Sequence, residues 1–67
     1  MSVIKTIDLV GVSERSWRDA AHEALQEATR TLRGIEGFEV LETSAKVEDN
    51  EIVEYHSHVR IRFRLER

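Results

Sequence analysis

From Glu51 to Leu65 apolar and polar residues alternate with few interruptions. Val53, Tyr55, Ser57, Val59, Ile61, Phe63 and Leu65 fall on one side, and Ile52, Glu54, His56, His58, Arg60, Arg62 and Arg64 on the other. A period of two is the signature of a strand with unlike faces. A slip of one residue would exchange those faces completely, so the register is strongly specified. At about 3.3 Å per residue such a strand runs roughly 50 Å, longer than a single small domain uses. Its far end is expected to pair with another subunit.

A second period, of three and four, runs from Ser13 to about Leu32. Trp17, Ala20, Ala21, Ala24, Leu25, Ala28, Thr31 and Leu32 form one stripe of a helix, expected to lie against the apolar face of the long strand. Arg15, Arg18, Asp19, Glu23, Gln26, Glu27 and Arg30 occupy the other side and are expected to meet water, with Glu27 and Arg30 an oppositely charged pair. Ser13 is read as the N-cap and Glu14 as the carboxylate favoured at a helix start, while Arg33 and Gly34 mark the end. The alanines allow a sheet to approach the helix closely.

Val3 to Val10 reads as a first strand, β-branched and apolar on both faces. Gly11 is read as its break and the turn into the helix. Gly37 opens a second strand from Phe38 to Val47 or Glu48, with Leu41, Thr43, Ala45 and Val47 on one face and Phe38, Val40, Glu42, Ser44 and Lys46 on the other. Glu48-Asp49-Asn50 supplies a tight turn into the long strand. The pattern predicts an α+β fold: a β-α-β-β unit, one domain, with a three-stranded antiparallel sheet wrapped on one helix.

Composition adds a deficit. A chain of 67 residues buries only around 60% of the surface its unfolded form exposes, and with no cysteine it has no disulfide to add. Self-association is therefore the leading expectation. A net charge of −3 argues against a generally nucleic-acid-binding surface. The first residues pass directly into an alternating strand without an apolar signal core or a membrane-length run, so a cytoplasmic protein without membrane contact is expected.

Several stretches together resemble one family. Ile7-Asp8-Leu9-Val10-Gly11-Val12-Ser13 with Ser16-Trp17 and Ala20-Ala21, then Phe38-Glu39-Val40, then Phe63-Arg64-Leu65-Glu66 are similar to the strand-to-helix, second-strand and C-terminal motifs of the dodecins. The resemblance covers nearly the whole chain. It implies a β-α-β-β protomer assembled into a hollow homododecamer that binds flavin (FMN, riboflavin or FAD) at subunit contacts, as a store or buffer rather than an enzyme. It also places the pocket at Gly37, Glu42, Ser44 and His56.

Three of those positions depart from the flavin-binding pattern. Gly37 stands where the family usually carries the Trp that stacks on the isoalloxazine, Ser44 where several relatives carry Arg, and His56 where Gln is frequent. Loss of a stack contributing roughly 1 to 3 kcal/mol weakens binding by about 5-fold to 150-fold. Phe38 does not replace the indole, because adjacent strand residues face opposite sides. Flavin storage with a weakened pocket is thus the expected function. The alternative is a structural or storage shell without flavin, taking cations such as calcium or a phosphate-bearing ligand such as coenzyme A.

Other candidate chemistry is weaker. His56 and His58 share a face and could ligate a metal, but only Glu54 or Glu42 offers a third ligand, and a solvated or inter-subunit polar face is the plainer reading. Calcium at Glu42, Asp49, Glu51 and Glu54 would need several subunits to converge, since a hard cation takes six or more oxygens. Arg60, Arg62 and Arg64 are read first as partners of carboxylates on neighbouring subunits. The aromatics Tyr55 and Phe63 lie on the opposite, core-facing side from these arginines, which disfavours RNA. No nucleophile with a base, phosphate-cradling loop or carboxylate pair stands out.

Overall fold

The computed structural model describes residues 2–66. Four elements follow one another: β1 (Ser2–Ser13), α1 (Trp17–Thr31), β2 (Ile35–Glu48) and β3 (Glu51–Glu66). The strands form one sheet in the order β1-β3-β2, with β3 antiparallel to both neighbours. The two outer strands are therefore parallel to each other, α1 carries the chain from one edge to the other, and β3 fills the gap between them. The long alternation from Glu51 to Leu65 is this central strand, and the molecule is drawn out along it to 52 × 19 × 13 Å.

The helix begins later than Ser13. Ser16, with extended backbone (φ −169°), is the N-cap, and its hydroxyl accepts from the Asp19 amide at 3.0 Å. Ser13 instead ends β1 and shapes the connection: its hydroxyl accepts from the Arg15 amide at 2.9 Å and donates to the Asp19 carboxylate at 2.7 Å. Residues 14 and 15 are needed to lift the chain off the sheet, so the helix starts on the second serine. At the far end Leu32 closes the helix by donating to the Ala28 carbonyl, and Gly34 takes the left-handed conformation (φ +76°) that only glycine adopts cheaply. The exposed Glu27–Arg30 pair forms as expected, at 3.1 Å.

Gly11 does not break β1. It continues the strand opposite Ser57, and an added Cβ there would lie 1.8 Å from the Ala20 carbonyl oxygen. Its role is steric: the missing side chain lets α1 settle onto β1. Ala21, Ala24 and Ala28 pack along this seam with Val59 and Ile61 of β3, with Ile7, Leu9, Leu25, Leu32 and Ile35 around them, and Ala20 and Phe63 are also buried. The stripe and the β3 face read from the sequence thus meet as expected.

The strict alternation expected along β2 fails. Register shifts leave Glu36 and Leu41 as extra residues on β2, and Val53 as one on β3. Because of the bulge at Leu41, Phe38, Val40, Thr43 and Ala45 all oppose helix-facing residues of β3, whereas Glu42 and Ser44 oppose His58 and His56 on the other face. The hairpin turn is the two-residue kind, with Asp49 (φ 52°) and Asn50 (φ 66°) both left-handed, the pair that matches the twist of the flanking strands. Val40, Val47 and Ile52 along this hairpin remain exposed, as do Val10 and Val12 on β1.

Candidate functional site

The sheet face turned away from the helix carries the polar half of β3, flanked by residues from both edge strands. The rungs read across the sheet as Thr6, Arg62 and Gly37; Asp8, Arg60 and Glu39; Val10, His58 and Glu42; Val12, His56 and Ser44. All four pocket positions expected from the family pattern, Gly37, Glu42, Ser44 and His56, therefore lie on this one face. The structure brings Glu42, Ser44 and His56 together on neighbouring rungs, while Gly37 lies further along the strand, opposite Arg62. An added Cβ at Gly37 would meet nothing within 4 Å, so this part of the face is open. Phe38 pairs with Ile61 on the helix side, as adjacent strand positions require.

The arginines on this face have carboxylate partners within the chain. Asp8 accepts from Arg60 Nε at 2.8 Å and from an Arg60 terminal nitrogen at 3.2 Å, and its second oxygen also lies 3.2 Å from His58 Nε2. The Arg60 guanidinium, with His58 beside it, holds the Asp8 carboxyl below its ordinary pKa, and Asp8 in turn raises that of Arg60. Glu36 takes Arg64 at 2.8 Å and Arg62 at 3.7 Å. Alternation put Asp8 on the even face of β1, but its partners depend on a cross-strand register that composition does not disclose; the bulge that leaves Glu36 beside the arginines was equally hidden.

His56 Nε2 lies 3.0 Å from Glu54 Oε1, which keeps the Glu54 carboxyl below its ordinary pKa. The imidazole is thereby oriented while its ring remains partly exposed. The Ser44 hydroxyl and the Glu42 carboxylate stand on the adjacent edge strand. Together they offer a donor-acceptor set beside an uncovered surface, suited to the polar edge of a flat ligand. Among the described residues no three His, Cys, Asp or Glu side chains cluster so as to hold a metal ion.

On the opposite face Trp17, Leu25, Phe38, Val40 and Thr43 line a groove of about 340 Å³ between α1 and β2. Trp17 does more than pack there: its indole N–H donates to the Ser44 carbonyl at 2.7 Å. Sequence reasoning treated this residue as packing alone, and no spacing rule would have linked positions 17 and 44. Among the described residues no helix is long and apolar enough to cross a membrane.

The family model for dodecin matches residues 3–66. Dodecin from Thermus thermophilus is 38% identical over 64 residues, covering 96% of this chain and 93% of that protein. Calcium dodecin from Mycobacterium tuberculosis is 34% identical over 65 residues, covering 97% and 92%. A crystal structure of a point mutant of the Thermus thermophilus dodecin superposes with a TM-score of 0.93 at 36% identity, over the whole of both chains. With the same order of elements, matching motifs from β1 to the end of β3 and relatives covered nearly end to end, the chain belongs to the dodecin family.

Proposed function

We propose that the protein is a flavin-binding store or buffer, not an enzyme, assembled as a homododecamer whose ligand sits where copies of the outer sheet face meet. The pocket is formed by Gly37, Glu42, Ser44 and His56. The observation that carries this reading is the grouping of Glu42, Ser44 and His56 on one face beside the open surface at Gly37. A planar isoalloxazine needs hydrogen-bonding groups at its rim, and this face supplies them beside an open surface. One layer of sheet covers only one side of such a ring, so a second copy is required for the other. The exposed Val10 and Val12 on this face favour that association, since a monomer this small leaves apolar surface that gains by burial.

Without an indole at position 37 the ring is held by its edge and by the opposing copy, and the affinity is lower than a stacked site would give. FMN, riboflavin and FAD share the ring and are all admissible ligands. Quenching of riboflavin and FMN fluorescence by the purified protein, with the particle mass followed by light scattering, tests the reading. Saturable quenching by a dodecamer is expected; a dodecamer that leaves the fluorescence unchanged at high protein concentration defeats it.

A second reading is favoured by the name of the mycobacterial relative, calcium dodecin. Glu42 and Glu54, or Asp49 and Glu51 at the hairpin tip, could contribute oxygens to calcium shared between copies, a hard cation needing six or more. Calcium titration of the same assembly separates the two readings. Saturable calcium binding without flavin quenching would assign the protein to cation storage.

A further inference from the structure

The Ser44–His56 rung of the proposed pocket faces away from the helix, yet it is held from the helix side. Its neighbours along the ladder, Thr43 opposite Ser57 and Ala45 opposite Tyr55, turn towards α1. Trp17, the first residue of α1, touches three members of this group. Its indole N–H donates to the Ser44 carbonyl at 2.7 Å, and its ring meets Tyr55 edge-on, with centroids 4.7 Å apart and planes at 79°. Its own carbonyl accepts from the hydroxyl of Ser57, which is fully buried, at 2.7 Å. Thus each strand of the rung is tied to the same residue.

The tie matters because β2 has little else to hold it on this side. It is an edge strand, the body of α1 packs chiefly on β1 and β3, and bulges at Leu41 and beyond Lys46 isolate residues 42–46 as a short regular segment. We infer that Trp17 is a positioning residue for the ligand pocket: it clamps Ser44 and its partner His56 in register while touching no ligand itself. This inference rests on the pocket assignment above for its ligand consequence, but the clamp itself is a property of the protein alone. The edge-on contact leaves Tyr55 packed when the indole is shortened to a phenyl ring, so Trp17→Phe removes chiefly the bond to Ser44.

Amide hydrogen exchange of the assembled protein is the test, in wild type, Trp17→Phe and Ser57→Ala. Each variant removes one hydrogen bond of the clamp, and exchange of residues 43–46 is expected to accelerate about five- to tenfold, with β1 and the Asp8–Arg60 rung unchanged. FMN affinity should fall by a similar factor in Trp17→Phe at unchanged particle mass. Unaltered exchange at residues 43–46 in an intact assembly, or equal acceleration throughout the sheet, would overturn the inference. If wild type does not quench FMN, the flavin reading fails while the exchange pattern still decides the clamp. If Trp17→Phe does not assemble, Ser57→Ala decides it.

Discussion

The two faces of β3 are built on different physics. On the helix side Ser57, Val59, Ile61 and Phe63 are buried, and the alanines of α1 and the glycine at position 11 let the layers close with little space between them. On the far side His56, His58, Arg60, Arg62 and Arg64 stay in contact with water; the arginines are organised by ion pairs with Asp8 and Glu36, and the histidines by hydrogen bonds to Glu54 and Asp8. One face holds the fold through burial, which scales with apolar area. The other contributes little stability, because exposed ion pairs are screened and cost side-chain freedom. That freedom from a packing duty is what leaves the outer face available for a ligand or a second copy. Substitutions should therefore have large effects on stability on the inner face and small ones on the outer.

The strongest challenge to that contrast is Ala24→Glu, at a position only 4% exposed. An unpaired carboxylate in the helix-to-sheet seam costs several kcal/mol. Loss of folded protein in thermal melts is expected, and a wild-type melting temperature would show that this seam is not the core. Gly11→Ala comes next. The new methyl meets backbone, not a pliable side chain, so α1 must shift, at a cost of about 1–3 kcal/mol by analogy with overpacked cores. A melting temperature within error of wild type at equal protomer concentration would contradict the close approach.

Asp8→Asn, on the outer face, should change stability least of the three. Because Asp8 titrates below its ordinary value in the folded state, its contribution is fully present above the unfolded-state pKa and fades as pH falls through the folded one. The difference between Asp8→Asn and wild type should thus be constant near neutrality and close up in strong acid. A difference that grew on acidification would mean that Asp8 is not held by Arg60 and His58.

How much of this was legible from sequence differs between the same two faces. The helix stripe and the β3 alternation were readable because each repeats over many residues, and each repeat is forced by burial. The N-cap was misplaced because Ser13 and Ser16 both precede the stripe. The distinguishing signal is the acidic side chain of Asp19 three residues after Ser16, where Ser13 is followed at that spacing only by a serine. Gly11 looked like a strand breaker because a single glycine does not announce whether it serves a turn or a close approach. The bulge at Leu41 left no mark in the hydrophobic pattern, as Leu41 is itself apolar, yet it sets Glu42 and Ser44 opposite His58 and His56. The composition of the candidate pocket was available only through family resemblance, because surface residues obey no burial rule that would identify them. Its tether to Trp17 required the fold.

The most direct test of the account compares Gly37→Trp with wild type in FMN titrations of intact assemblies. An indole at this open position should add a stacking wall and raise affinity by about 5-fold to 150-fold, with the melting temperature nearly unchanged because a Cβ there meets nothing within 4 Å. Equal affinities in two intact assemblies would contradict the claim that the ligand lies over position 37 on the outer face of the sheet.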